Sequence, residues 1–237
     1  MKQYVCRCYS STVFIPILCL VIVTGNAATL LAFWKVPSLL DTPSELLILS
    51  LSCADLTTGL VVIPLFSPMY ITPGSWPFGE HVCRILVFFM DVTMHASLFT
   101  LCNISLDRLL LVLKDYPHYI RIQSYTRIRV TIIICWTFST LSGVVELSMW
   151  NAAKQLDESA SLIDYDNYCL SPPRRMKSFA LPFFLILYLL PVICVCGLSS
   201  FFFCFLRKRL KQSWEMRAES QLTHLNSALK QSGKVIY

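Results

Sequence analysis

The sequence is poor in charge. Only 14% of its 237 residues are Asp, Glu, Lys or Arg, whereas an ordinary soluble domain carries about 25%. Hydrophobic residues make up 55% of the chain, and its mean hydropathy is +0.60. This composition excludes a soluble globular domain and indicates an integral membrane protein. The net charge of +6 does not indicate nucleic-acid binding, because the basic residues cluster beside apolar runs.

The sequence also lacks the short motifs of common enzymes. It has no HExxH pair, nucleophile elbow, phosphate loop or paired carboxylates, so we do not expect an enzyme. His95 and His118 have no further metal ligands at suitable spacing, and no metal site is predicted. Seven of the eleven cysteines fall inside apolar runs, where Cys acts as a small hydrophobe. The four at expected aqueous edges are Cys6, Cys8, Cys83 and Cys169, and the first two are either free or paired together.

Five apolar runs are long enough to cross a bilayer, which takes about 20 residues each. They cover approximately residues 13–33, 46–68, 82–113, 130–149 and 179–206. Each run is continuous rather than alternating, which favours helices over strands. The predicted fold class is therefore all-α, a polytopic transmembrane helix bundle in contact with lipid. A short segment at 1–12 precedes the bundle at 13–206, and a tail follows at 207–237.

The basic residues predict the orientation of the chain. Four of them, with one acid, lie between 114 and 129, and four more lie between 207 and 211. The segment between the fourth and fifth runs instead balances four acids against four basic residues. By the positive-inside rule, we expect an extracellular N-terminus and a cytoplasmic C-terminus.

Three of the apolar runs contain acidic residues that hydrophobicity does not require. A lone Asp55 in the second run would cost about 2.5–3.5 kcal/mol at bilayer depth, so it should face the bundle interior. Two interpretations stay open for it: a hydrogen-bonding hub with Asn26, and an ion or proton site. Asp107 and Arg108 close the third run, at its expected cytoplasmic end. There the pair is expected to snorkel to the interface.

A set of short motifs occurs in order along the chain. They are TGNAATLL, LSCADL around Asp55, WPFGEHVC before the third run, SLDR at its end, CWTF with Trp136, and LYLLPV with Pro191. In order and spacing, this set resembles the rhodopsin-like family of G-protein-coupled receptors over about residues 25–209. The resemblance implies a seven-helix fold in the plasma membrane. It also implies a pocket for a small extracellular ligand and an inner surface for a heterotrimeric G protein.

The resemblance also implies roles for particular residues. The matching positions are a G-protein switch (Asp107, Arg108), an internal polar or sodium site (Asn26, Asp55, Ser97), an extracellular disulfide (Cys83, Cys169) and two structural residues (Trp136, Pro191). In the family, the acid of the switch holds the neighbouring arginine in the inactive state. Leu109 stands where the switch usually has Tyr. Apart from a candidate internal sodium ion, no cofactor is expected.

The ligand is the open question of the sequence. In amine-binding members an aspartate lies 18 residues, five full turns, before the motif arginine, and here that position is Met90. Asp91 points about 100° away, so it needs a bulge or a rotated helix to pair with an amine. Its alternatives are a buried pair with His95 and a place at the outer rim. Glu146 is a second acidic candidate, or it snorkels outward. The remaining pocket candidates, which fit an amine or any lipophilic ligand, are Met94, Phe183, Phe184 and Leu187.

The motifs of the family's sixth and seventh helices do not occur here. After Leu206 the chain resembles the family's third cytoplasmic loop, and Ser199 stands where helix five usually carries Tyr. We therefore expect either an incomplete receptor chain or a truncated, non-signalling product that associates with full-length receptors as a receptor dimer. A transporter is disfavoured because the sequence shows no internal repeat.

Overall fold

The computed structural model of the chain describes residues 2–71, 76–114, 116–156, 165, 167–175 and 177–231. Within these ranges the regular structure is entirely helical, without a strand. Five helices are long and apolar enough to cross a membrane. The predicted fold class, a helical membrane bundle, is therefore confirmed. The side chains of Cys6 and Cys8 lie outside the residues that the structure describes, so their pairing stays open.

The five long helices are joined by short turns and one short helix. In chain order the helices are α1 (Lys2–Lys35), α2 (Glu45–Ile71), α3 (Gly79–Leu113), the short α4 (Tyr116–Ile122), α5 (Tyr125–Leu156) and α6 (177–231). Two 3-10 turns accompany them, Pro37–Leu40 before α2 and Pro172–Arg175 before α6. The basic segment that begins at residue 207 continues α6 as helix as far as Gln231.

The central element is α3. It packs against α2, α5 and α6, whereas α1 packs on α2. One end of the bundle, here called the disulfide end, is tied together by the bond between Cys83 and Cys169. The disulfide that the resemblance implied is thus present. Around it lies a buried core of Trp76, Leu86, Val87 and Trp150.

The start of α3 depends on a glycine. Gly79 has a φ of +69°, a left-handed conformation that an L side chain rarely adopts. Its carbonyl accepts a hydrogen bond from Trp76 Nε1 at 2.9 Å. The left-handed conformation of Gly79 therefore lets the chain turn into α3 while the Trp76 side chain packs in the core.

Two of the membrane-length helices widen for one π-helical turn. These turns are Thr58–Val62 in α2 and Leu185–Leu189 in α6, and a proline follows each of them two residues on, Pro64 and Pro191 respectively. A proline cannot donate a backbone hydrogen bond, and its ring clashes with the carbonyl four residues earlier. Those carbonyls belong to Leu60 and Leu187, inside the two wide turns. The wider turn therefore accommodates the proline without breaking the helix.

Candidate functional site

A buried ionic cluster joins α3 and α5 to the turn that precedes α6. Asp91 on α3 and Glu146 on α5 are both fully buried. Asp91 Oδ1 accepts hydrogen bonds from Arg174 Nη2 and from Tyr188 Oη, the latter at 3.1 Å. Arg174 also donates from Nε to Glu146 Oε1 at 2.8 Å and from Nη2 to Oε2 at 3.1 Å. One guanidinium thus bridges two buried carboxyl groups from different helices.

The cluster corrects several sequence-based interpretations. The expected pair between Asp91 and His95 is wrong, because His95 Nδ1 instead bonds Ser142 Oγ at 2.8 Å. A position at the outer rim is also wrong for Asp91, which has no exposed surface. Outward snorkelling is wrong for Glu146, because Arg174 holds its carboxylate inside the bundle. No bulge rotates α3, which is α-helical along its whole length.

Arg174 keeps its charge in this position. Burial alone would lower the pKa of its guanidinium, but the negative charges of Asp91 and Glu146 raise that pKa above its ordinary value. Its positive charge therefore faces the two acids from the centre of the cluster.

The pocket candidates from the sequence fall on two sides of α3. Met90 and Met94 lie on the wall of a largely apolar cavity of about 440 Å³ between α1, α2 and α3. Its other walls include Phe14, Phe66 and Tyr70. Asp91 is not among the residues that line this cavity. The five-turn register therefore holds, and it separates Met90 from the acidic cluster.

The candidates on α6 surround the opposite side of the cluster. The ring of Phe183 lies 5.9 Å from the ring of His95, and the ring of Tyr188 lies 4.8 Å from it. Leu187 is buried, but Phe184 is 54% exposed and stacks on Tyr188 at 6.0 Å. Phe183 and Tyr188 thus form an aromatic side of the site, and Phe184 covers it from outside.

A second polar site lies between α2 and α3. Asp55 Oδ1 accepts a hydrogen bond from Ser97 Oγ at 2.8 Å. The expected hub with Asn26 is wrong as a direct contact, because Asn26 Nδ2 donates to the carbonyl of Ile22 at 2.9 Å. Trp136 joins α5 to α2 through a hydrogen bond from Nε1 to Ser50 Oγ at 2.9 Å. The structure therefore brings Asp55 and Ser97 together and leaves Asn26 bonded within α1.

Asp107 and Arg108, at the other end of α3, face different surroundings. Asp107 is only 3% exposed. It accepts hydrogen bonds from Ser44 Oγ at 3.0 Å, from Tyr119 Oη at 2.9 Å and from the side-chain amide of Gln123. Snorkelling of Asp107 to the interface is therefore wrong. Burial raises the pKa of the Tyr119 phenol, and the neighbouring Asp107 adds to the rise.

Arg108 is not held by its neighbouring acid. The side chain of Arg108 is 41% exposed, and its nearest ionic partner is Glu45, with Nη2 and Oε1 4.0 Å apart. Successive helical residues point about 100° apart, so Asp107 can be buried while Arg108 faces outward. Arg108 borders a cavity of about 340 Å³ that is also lined by Tyr119 and Gln123.

Sequence reasoning missed Arg174, Tyr188 and Tyr119. A signal for Arg174 was present, since it follows Cys169 by five residues and Cys83 precedes Asp91 by eight. A basic side chain so close to the disulfide is therefore held near the buried part of α3. Tyr119 lies in none of the motifs, and the LYLLPV motif that contains Tyr188 does not indicate a contact with Asp91.

A second ionic group fastens α3 to α5 at the disulfide end, outside the candidate site. Glu80 Oε1 accepts hydrogen bonds from Arg84 Nη2 at 2.7 Å, Trp150 Nε1 at 2.8 Å and Lys154 Nζ at 2.7 Å. Unlike Asp91 and Glu146, Glu80 is partly exposed, at 27% of its side chain. This group differs from the candidate site in its contact with solvent.

Helices of membrane length around a central α3, with polar sites inside them, define a multi-pass helical membrane protein. Residues 25–235 match the family described as 7 transmembrane receptor (rhodopsin family). The chain belongs to this family, and the resemblance drawn from its motifs is confirmed.

Similar proteins include receptors named for different ligands. The chain is 30% identical to dopamine receptor 4 of Caenorhabditis elegans, over 72% of this chain and 33% of that protein. It is 27% identical to adenosine receptor A3 of Ovis aries, over 90% and 66% of the two chains. It is 31% identical to galanin receptor type 2 of Mus musculus, over 76% of this chain and 46% of that protein. The chain thus spans between a third and two thirds of the length of these relatives, and their similar identities do not select a ligand.

Proposed function

We propose that this chain is the ligand-sensing and G-protein-facing part of a G-protein-coupled receptor of the plasma membrane. Family membership over residues 25–235 carries the proposal. The disulfide end is then extracellular and the Asp107 end cytoplasmic, because the basic residues at 114–129 and 207–211 flank the latter. In this orientation, the acidic cluster faces an extracellular small ligand and Arg108 faces a heterotrimeric G protein.

The contacts at the inner end support a switch that involves Arg108. Asp107 is tied to Ser44 and to α4, so it leaves the Arg108 guanidinium available at the edge of a cavity. Ligand binding shifts the population between two helix arrangements that differ in the access of a G protein to this arginine. Asp55 and Ser97 offer oxygen ligands for the sodium ion expected inside the bundle.

The candidate ligand-binding surfaces lie on two sides of α3. Met90 and Met94 line an apolar cavity on one side, and Phe183, Phe184 and Leu187 lie on the other side, beside the acids. An amine is a candidate ligand because Asp91 and Glu146 provide negative charge and the neighbouring aromatic rings attract cations. An amine that pairs with Asp91 has to compete with Arg174, which already bonds that carboxylate.

Cell membranes that contain either the wild type or a variant provide the test. Arg108→Ala should abolish agonist-stimulated nucleotide exchange on the G protein, whereas Arg207→Ala, which changes an exposed arginine on α6, should leave it unchanged. Equal exchange in the wild type and Arg108→Ala would contradict the proposed switch. Tissue extracts that contain small metabolites and peptides can serve as the agonist source.

A second candidate function is a non-signalling subunit that pairs with a complete receptor. The cavity bordered by Met90 and Met94 favours it, because a helix of another chain could cover this apolar surface. Wild-type protein that supports no exchange but copurifies with a seven-helix receptor would select this candidate. C-terminal peptide mapping of the native protein adds a direct measurement of how far the chain extends past Tyr237.

A further inference from the structure

The contacts of Arg174 have the geometry of a ligand in its site. Two guanidinium nitrogens, Nε and Nη2, meet the two oxygens of Glu146, and Nη2 also bonds Asp91. Two parallel N–H···O bonds to one carboxylate form the planar fork that distinguishes guanidinium from ammonium. The site therefore recognises the shape of the cation as well as its charge.

Three polar atoms in this site have no hydrogen-bond partner among the described residues. They are Asp91 Oδ2, His95 Nε2 and Ser171 Oγ, and all three side chains are buried. Buried polar groups are nearly always paired, so orphaned ones need an explanation. The site also holds two carboxyl groups against one guanidinium, and the side chains of Asp91 and Glu146 lie close enough to interact directly.

Arg174 lies on a connecting segment whose backbone is held in place. Arg174 lies on the 3-10 turn Pro172–Arg175, and the two prolines of that turn are fully buried. Each proline ring fixes its own φ angle. The nearby Cys169 is bonded to Cys83 on α3. Arg174 therefore enters from a connecting segment that is anchored to the same helix as Asp91.

We propose that Asp91 and Glu146 form a guanidinium site that Arg174 occupies as a built-in ligand. Removal of the Arg174 side chain opens the site to a free alkylguanidinium compound. This inference rests on the proposed function for its physiological meaning only, because the binding itself is a property of the folded chain.

Chemical rescue of a cavity variant tests the inference. Wild type and Arg174→Ala are purified in phosphatidylcholine nanodiscs, and the midpoint of thermal unfolding, Tm, is measured while methylguanidinium is titrated. Loss of a partner from a buried ion pair should lower the Tm by about 10 °C in a chain of this size. Methylguanidinium should then raise the Tm of the variant along a saturating curve and leave the wild type unchanged. Methylurea, a neutral molecule of the same shape, should not raise it.

Arg84→Ala is the matched control. Arg84 also donates from Nε and Nη2 to a glutamate, Glu80, and its side chain is 30% exposed, against 29% for Arg174. Glu80 keeps Lys154 as a partner and contacts solvent, so methylguanidinium should not rescue this variant. The inference would be overturned if methylguanidinium raised the Tm of both variants equally. It would also be overturned if methylguanidinium did not raise the Tm of Arg174→Ala.

Two further variants keep the test decisive. Glu146→Gln combined with Arg174→Ala should lose the rescue, because the fork has lost its charged acceptor. If Arg174→Ala does not fold, Arg174→Lys replaces it, and a Tm equal to that of the wild type would show that the site does not require a planar cation. Thermal unfolding does not involve a G protein. Rescue without signalling would therefore refute the receptor function and leave the guanidinium site in place.

Discussion

Gly143 on α5 lies against α3 with no room for a side chain. A Cβ atom at this position would lie 2.9 and 3.1 Å from ring carbons of Phe88 and 3.3 Å from a methyl carbon of Val92. Carbon atoms in good contact are about 3.5–4.0 Å apart. In Gly143→Ala the Phe88 ring has to move, or the two helices have to separate.

A second glycine separates this clash from the helix propensity of alanine. Overpacking of a tight interior costs about 1–3 kcal/mol. Alanine in place of glycine within a helix favours folding by about 1 kcal/mol, which hides part of that cost. Gly197→Ala on α6 gains the same propensity without a clash, because nothing lies within 4 Å of its added Cβ. The difference between the two variants should therefore be about 1–3 kcal/mol, or about 2–12 °C in Tm.

Thermal unfolding in nanodiscs, followed by circular dichroism, measures this difference. Gly143→Ala should unfold at the lower temperature. Its methylguanidinium rescue in the Arg174→Ala background should also weaken, because Gly143 lies one turn from Glu146 on α5. Equal Tm values for the two alanine variants would refute the close packing of α3 on α5 at this point.

Three other substitutions test separate contacts. Cys83→Ser opens a disulfide that joins residues 86 positions apart. It should cost about 4–5 kcal/mol by chain entropy and abolish surface expression, whereas Cys53→Ser, a free and exposed thiol, should be expressed normally. Tyr119→Phe removes one of the hydrogen bonds to Asp107. It should cost about 1 kcal/mol and speed amide exchange in α4, and unchanged exchange would contradict the tie. Trp136→Phe removes the hydrogen bond from α5 to α2, with a similar expected loss in unfolding free energy; an unchanged Tm would make that bond irrelevant to stability.

The apolar runs in the sequence were enough to predict the number and type of the long helices. A continuous apolar run of bilayer length leaves the backbone few alternatives to a helix, so the five spans did not depend on tertiary contacts. The face of a helix on which a side chain lies was predictable where the helix is regular. Along α3, the separation of Met90 from Asp91 follows from the helical repeat alone.

The partners of the acids were not predictable in the same way. Arg174 reaches Asp91 from 83 residues along the chain, across a connecting turn that has no periodic pattern. On α6, the π-helical turn at Leu185–Leu189 interrupts the regular repeat. Consequently Phe184 is exposed and Leu187 buried, although the sequence made both of them pocket candidates. Asp107 is buried because Tyr119 and Gln123, beyond the end of its own helix, bond it.

The wide turn in α6 gives this helix a way to change its surface while both of its ends stay in place. A π-helical turn holds one more residue than an α-helical turn, so it can migrate along a helix as successive backbone N–H groups change their carbonyl acceptors one residue at a time. Each residue that the turn passes rotates by about 100° around the axis, whereas residues outside the path stay where they are. Tyr188 lies within this turn and bonds Asp91. Migration by a single position would rotate Tyr188 and withdraw its hydroxyl from the acid, without translation of the helix.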